Sequence, residues 1–219
     1  MMEKIFTAVI TVLLVWIFVY LLLLLSDKLF ELNIEKKGNF IKDYLVNIVL
    51  VISGLSSGVI SYLRFANMKL PLIILSMILF VFMPVLTVTD CKKQLVPNKI
   101  ILGAIILWVI TISLSVIIDI NASFNLVISA ILGAVISGVI FLLSYFLSKK
   151  QLGAGYVKLA FVMGLYLTGS RVIGALLYGS VFCCIYSLVQ LARKKLTLKS
   201  GVPMVPFLYL AMIVTFLTV

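Results

Sequence analysis

Histidine is absent from this chain, and cysteine is scarce, with Cys91, Cys183 and Cys184 the three that occur. A zinc site takes four Cys or His ligands, or three and an open position. Cys183 and Cys184 are neighbours, which point to different sides of a helix, and both are far along the chain from Cys91. We therefore predict no metal site, no cofactor and no disulfide framework, and we interpret the cysteines as buried membrane residues.

Acidic residues are also few. Seven aspartates and glutamates stand against 18 lysines and arginines, so the net charge is +11. The chain is 64% hydrophobic with a mean hydropathy of +1.31, whereas soluble domains are about half apolar. The charges gather in short clusters between long apolar runs, which is typical of membrane spans and not of a basic face for nucleic acid. The composition predicts a multi-pass protein of the lipid bilayer with no nucleic-acid partner.

The apolar runs predict an all-α fold, a polytopic membrane helix bundle of about eight transmembrane helices. The first run is too long for a signal peptide and lacks a small-residue cleavage site, so we interpret it as a permanent anchor. The sixth and eighth runs are short for a bilayer of about 30 Å, which favours tilted, interfacial or shielded helices. The eight predicted helices are Ile5–Leu25, Leu45–Leu63, Pro71–Thr89, Ile100–Ile118, Phe124–Leu147, Tyr156–Thr168, Val172–Leu191 and Val205–Val219, with a polar turn at Asp119–Ser123.

Basic residues give the orientation, because lysine and arginine are enriched in cytoplasmic loops. If the N-terminus lies outside the cell membrane, only Lys4, Arg64, Lys69 and Arg171 fall on the outer side. All other lysines and arginines then lie inside. This distribution predicts that the loop after the third run and the loop before the sixth run both face the cytoplasm, in the cytoplasmic (inner) membrane.

The loop after the third run begins with Asp90. A carboxylate at the edge of the hydrocarbon is costly, which makes Asp90 a functional candidate. The alternative is an ordinary interfacial residue balanced by Lys92 and Lys93. Further on, Pro97 and Asn98 form a turn signal at the start of the fourth run, where proline is tolerated.

The sixth run opens with Gly153-Ala154-Gly155, followed by Tyr156. Two glycines permit sharp backbone geometry and close approach of a second helix, although Gly-x-Gly alone is a weak signal. Lys158 follows one turn later and has the length to reach the cytoplasmic surface.

Three segments, in the same order, resemble motifs of the type IV prepilin peptidases, which are membrane-embedded aspartic endopeptidases. The first is Asp90–Asn98. The second is Gly153–Gly169, which begins Gly-Ala-Gly-Tyr-Val-Lys-Leu where the family has Gly-x-Gly-Asp-Val-Lys-Leu. The third is Val202–Leu208, which is similar to the family's Ile-Pro-Phe-Gly-Pro-Phe-Leu. The resemblance covers roughly residues 75–219.

The resemblance implies an enzyme that clips short basic leaders from type IV prepilins or pseudopilins at the cytoplasmic membrane face, in pilus assembly or protein secretion. Asp90 takes the place of the first catalytic aspartate, and Tyr156 that of the second. Site-shaping positions would be Pro97, Asn98, Gly153, Gly155 and Lys158. The family pairing also implies that Asp90 and Tyr156 face one another across a cleft.

The chain departs from the family at two places. Larger bacterial members carry a zinc-binding insert with two Cys-x-x-Cys pairs, linked to N-methylation, whereas Ser26–Tyr44 contains no cysteine. We therefore predict an N-terminal two-span region, residues 1–66, without that insert, and a peptidase-like six-span region, residues 67–219. The second departure is Tyr156, because a phenol titrates near pH 10 and cannot act as a base at neutral pH.

No other acid is an obvious substitute. Glu3 and Asp119 are predicted on the opposite side of the membrane. Four further acids are assigned to the first cytoplasmic loop, from which they reach the site only if that loop folds back: Asp27, Glu31, Glu35 and Asp43. The leading interpretation is thus a prepilin peptidase that is impaired or inactive. The alternatives are a non-cutting protein that binds leader peptides or pilus and secretion machinery, and a small transporter subunit.

Overall fold

The computed structural model describes residues 2–30, 43–148, 152–195 and 201–218, which are almost entirely helical and contain no strand. This confirms the predicted all-α class. The seven α-helices are α1 (Met2–Phe30), α2 (Tyr44–Arg64), α3 (Leu70–Lys93), α4 (Asn98–Ile118), α5 (Ile120–Leu147), α6 (Ala154–Ala192) and α7 (Val205–Thr218), and a 3₁₀ turn, Phe65–Asn67, follows α2.

Six helical segments of the described residues are long and apolar enough to cross a membrane. They are α1 to α5, with α2 counted to Asn67 and α1 to Asp27, and the second part of α6, Arg171–Ala192. The first part of α6, Ala154–Gly169, and α7 are shorter apolar helices. These two correspond to the sixth and eighth predicted runs. The chain is therefore a multi-pass membrane protein by the length and composition of its helices.

The chain falls into two compact units, one up to Lys93 and one from Gln94 onward. In the first unit α1 packs antiparallel to α2, and both contact α3. The indole Nε1 of Trp16 donates a hydrogen bond to the carbonyl of Leu50 at 2.8 Å. Gly54 lies against the Trp16 ring and Gly58 against Val12, so these two small residues, four positions apart, let the helices approach closely.

The last half of α3 is buried on all faces. Each residue from Leu79 to Asp90 is buried, including Pro84 within the helix. A proline there has no N–H to donate to the carbonyl four residues earlier, which a membrane helix tolerates where neighbouring groups compensate. The helix continues to Lys93, so Asp90 lies within α3 and not after it.

In the second unit α5 and α6 make the closest contact. Gly133 and Gly164 face one another, and a side chain on either would collide with the backbone of the other helix. Ser137 of α5 donates to the carbonyl of Ala160 at 2.8 Å. The hydroxyl of Tyr166 donates to the carbonyl of Ala104 at 2.6 Å, which ties α6 to α4.

The α4–α5 connection corrects a prediction. Asp119–Ser123 was predicted as a polar turn before a helix starting at Phe124, but α5 begins at Ile120 and Asp119 is its N-cap. The Asp119 carboxylate accepts from the backbone N–H of Ala122 at 3.0 Å. Aspartate is a preferred N-cap because it satisfies a free N–H of the first turn, and this shortens the turn to one residue.

The cysteine prediction was partly wrong. Cys91 and Cys183 are half-buried, and Cys184 is exposed on the surface of α6. In a membrane protein such a surface position faces lipid, where a thiol is as acceptable as in the interior.

Helix α6 breaks at Thr168, between the predicted sixth and seventh helices. Thr168 has φ 64° and ψ 175°, a region that only glycine occupies readily. The backbone N–H of Gly169 is directed at Ser129 Oγ of α5 at 3.3 Å. The break thus coincides with the close approach of α5, since Gly133 lies directly against the Thr168–Gly169 peptide.

Thr168→Gly is expected to stabilise the protein by about 1 kcal/mol. It removes a backbone strain of about 1–3 kcal/mol, and part of this gain is offset because glycine raises the conformational entropy of the unfolded chain. Thr168→Ala is the matched control, since it keeps the Cβ that causes the strain. Unfolding in mixed detergent measures both. A gain for alanine as large as for glycine would show that strain is not the cause.

Some predictions fall on residues outside the described ranges. Among the basic residues assigned to the cytoplasm these are Lys36, Lys37, Lys42, Lys149, Lys150 and Lys199, and among the acids Glu31 and Glu35. The predicted division at residue 66 and the membrane orientation stay predictions.

Labelling tests the orientation. In a chain whose three cysteines are replaced by serine, a membrane-impermeant maleimide applied to intact cells is expected to label Asn67→Cys and not Asn98→Cys. Both positions are exposed, so access to the reagent depends on the side of the membrane. Outside labelling of Asn98→Cys would overturn the orientation. Lysed cells provide the control, because both variants should then react.

Candidate active site

Asp90 lies in the last turn of α3 and has no exposed surface. The hydroxyls beside it are engaged in their own helix, since Thr87 donates to the carbonyl of Met83 at 2.8 Å and Thr89 to that of Leu86 at 2.9 Å. Burial of a carboxylate is energetically costly, so a buried acid is kept mainly where it serves the structure or the chemistry of the protein. The complete burial of Asp90 therefore favours a functional residue over an ordinary interfacial one.

The neighbouring Lys92 is paired with Asp43, which lies just before α2. Burial of the Asp43 carboxyl raises its pKa, but the hydrogen bond and charge of Lys92, with the backbone N–H groups of Leu45 and Val46, outweigh this effect. Together they hold the pKa of Asp43 below its ordinary value. Asp43 is thus the N-cap of α2 and not a loop residue. The ion pair stabilises the fold above the unfolded-state pKa of Asp43, and this stability is lost as the pH falls through the folded-state pKa.

In the second unit the end of the first motif segment, around Val96, contacts the start of the second, around Gly155. Val96 and Pro97 are buried, and the Pro97 carbonyl accepts the first backbone hydrogen bonds of α4 from Ile100 and Ile101, at 3.1 and 3.2 Å. Gly155 packs on Val96, because a Cβ on Gly155 would lie 2.9 Å from the Val96 Cβ. Glycine is thus required at position 155 by close approach.

Asn98 and Lys158 are also brought together. Lys158 Nζ donates to Asn98 Oδ1 at 3.0 Å, and both residues are exposed. Lys158 therefore has a specific partner in addition to an exposed position. Two contacts thus join the two segments within this unit, Gly155 with Val96 and Lys158 with Asn98.

Gly153 and Tyr156 are arranged less unusually. Gly153 has φ −64° and ψ 136°, an ordinary extended conformation, and a Cβ there would meet the Tyr156 ring at 3.5 Å, a normal contact. Tyr156 lies in the first turn of α6 and is 8% exposed, so the phenol at the position predicted for the second aspartate is buried. Asp90 belongs to the first unit and Tyr156 to the second, and their predicted pairing stays a prediction.

Sequence reasoning misplaced Asp27. It was assigned to the first cytoplasmic loop, but it lies within α1 and is only 8% exposed. The buried residues of α1 recur every four positions, and Asp27 continues that series. The series is Thr11, Val15, Val19, Leu23 and Asp27.

A polytopic helical membrane protein with a buried carboxylate at a helix end is the class that these observations define. A family model described as the type IV leader peptidase family matches residues 77–188. The chain belongs to this family, and the match includes Asp90, the Pro97 turn and the Gly153–Lys158 segment. No curated protein and no solved structure matches the chain. The Val202–Leu208 segment lies beyond the family match.

Proposed function

We propose that the protein is a membrane aspartic endopeptidase that cleaves the basic leaders of type IV prepilins or pseudopilins at the cytoplasmic face of the inner membrane. The observation that carries this proposal is the complete burial of Asp90, at the position of the first catalytic aspartate, within a chain of the leader peptidase family. The family membership supports a membrane protease, and the buried acid supplies a group that such a protease needs.

Hydrolysis of a peptide bond by two carboxylates divides the work between them. One ionised carboxylate takes a proton from the attacking water, and one protonated carboxyl donates to the scissile carbonyl oxygen. Asp90 can serve in either role. Tyr156 can donate a hydrogen bond, but it cannot act as a base near neutral pH. We therefore expect cleavage that is slower by about 100- to 10,000-fold than with two aspartates at these positions.

The proposal is tested with the chain reconstituted in liposomes and a substrate that has a basic stretch, a glycine and a long apolar helix. Cleavage that is abolished by Asp90→Asn supports it. The conservative change retains the volume of the side chain, so a folded variant without activity identifies the carboxylate as the required group. Undiminished cleavage by Asp90→Asn would contradict the proposal.

A second function is favoured by one observation. The Tyr156 side chain is buried, so a phenol and not an acid is packed at the position where the resemblance implies the second aspartate. A protein that binds leader peptides without cutting them is consistent with this. Binding would be favoured over catalysis if the unmodified chain and its Tyr156→Asp variant both bound the substrate and neither cleaved it.

A further inference from the structure

Asp27 is the second deeply buried carboxylate at the end of the first unit where Asp90 lies. The α1 helix is mostly exposed, and its buried residues form one stripe that faces the other helices of its unit. Asp27 ends this stripe, four residues after Leu23, and Ser26 beside it is 2% exposed. The side chain of Asp27 is therefore directed into the unit and not toward the surroundings.

The pairing of α1 with α2 gives the level of Asp27, meaning its position along the helix axes. A step of four residues along α1 from Val12 to Trp16 corresponds to a step of four residues back along α2 from Gly58 to Gly54. Eleven residues further along α1 is Asp27, and eleven residues back along α2 from Gly54 is Asp43. Because both helices have the same rise, Asp27 lies near the level of Asp43.

The ion pair of Asp43 with Lys92 connects this level to α3. Asp90 precedes Lys92 by two residues, which is about 3 Å along the helix axis. Since α1 packs directly against α3, and packed helix axes are about 8–10 Å apart, side chains on the facing sides of the two helices meet. Asp27 and Asp90 thus lie at the same end of one unit, both buried.

We infer that Asp27 supplies the second catalytic carboxylate in this chain, less effectively than an aspartate at position 156 would. The inference rests on the proposed function. One of the two carboxylates removes a proton from water as its oxygen bonds to the scissile carbonyl carbon, and the other gives its proton to the carbonyl oxygen. When the intermediate collapses, the C–N bond breaks, the nitrogen takes up the proton first removed from water, and a hydroxyl on the carbon returns a proton to the carboxylate that had given one. The products are one new carboxyl group and one new amine, with one water consumed.

The experiment compares kcat and KM for the unmodified chain, Asp27→Asn, Asp27→Glu and Asp43→Asn, with the prepilin-type substrate in liposomes. Asp27→Asn is expected to lower kcat by about 100-fold or more with KM unchanged, and Asp27→Glu to recover part of the rate. Asp43→Asn is the matched control. It makes the same chemical change at the same level and leaves an N-cap residue, although it removes the ion pair with Lys92. Its rate per folded molecule should therefore stay within about threefold.

A second background separates catalysis from folding. With Tyr156→Asp present the usual pair of acids is restored, and the added Asp27→Asn is expected to leave cleavage nearly unchanged. A loss of the same size in both backgrounds would assign Asp27 a structural role and overturn the inference. The inference would also be overturned if Asp27→Asn left the rate unchanged, or if the unmodified chain did not cleave while Tyr156→Asp did. If neither the unmodified chain nor Tyr156→Asp cleaved the substrate, the proposed function would be refuted, and this inference with it.

Discussion

Replacing Tyr156 with aspartate is expected to raise leader cleavage by about 100- to 10,000-fold, and Asp90→Asn in that variant is expected to abolish the gain. The first change places a carboxyl at the position that the resemblance predicts for the second catalytic aspartate. Two close carboxylates do not both ionise easily, so one keeps its proton at neutral pH and can act as the acid. A phenol offers no equivalent of this shared proton.

The substitution also exchanges a buried ring for a smaller side chain. A cavity or repacking cost of about 1–3 kcal/mol is expected, which a folded membrane protein tolerates. Tyr156→Asn is the matched control, because aspartate and asparagine have nearly the same volume and create the same cavity, while asparagine has no acid. Rates are measured with a cognate prepilin in membranes.

Three outcomes of this comparison would count against the mechanism. An unmodified chain that already cleaves at the rate of Tyr156→Asp would show that an acid at position 156 adds nothing, because Asp27 or another group already fills the role completely. A gain by Tyr156→Asn equal to that by Tyr156→Asp would assign the effect to volume. A folded Tyr156→Asp variant that does not cut a substrate cut by another family member would show that the two-carboxylate mechanism does not apply to this chain.

The positions of the helices were largely predictable from the sequence, since long apolar runs in a membrane protein leave few alternatives to helix. The break at Thr168 coincides with the predicted end of the sixth helix, Tyr156–Thr168. The ends of helices were less predictable. Asp119 was read as part of a polar turn, yet its carboxylate caps α5, because capping depends on local geometry that composition does not reveal.

The candidate site was predicted in part. Within the second unit Gly155 contacts Val96 and Lys158 contacts Asn98, whereas the assignment of these residues to a site stays a prediction. Asp27 was missed as a candidate because the end of the first apolar run was placed at Leu25, two residues too early. A charged residue at the end of an apolar run looks like the start of a loop. Only the burial of the four-residue series shows that the helix continues and carries the acid inward.

The largest stability effect is expected at Gly164, where α5 and α6 are closest. A Cβ added there would overlap three atoms of α5, the Gly133 carbonyl oxygen, the Ser137 hydroxyl and the Ala134 Cα, two of which belong to the backbone. Backbone cannot move aside as a flexible side chain can. Gly164→Ala is therefore expected to cost about 3 kcal/mol, the upper part of the usual range for overpacking.

Gly174→Ala is the matched control in the same helix. A Cβ at Gly174 would meet the Thr215 side chain at 3.6 Å, an ordinary contact, so alanine there should gain up to about 1 kcal/mol from its better helix propensity. Reversible unfolding of both variants in mixed detergent measures the difference. Equal stabilities would show that α5 and α6 adjust to a methyl group, and that their separation is not set by these glycines. A loss confined to Gly164→Ala would instead identify small residues as the reason that two apolar helices pack closely here, since lipid competes equally for their larger side chains.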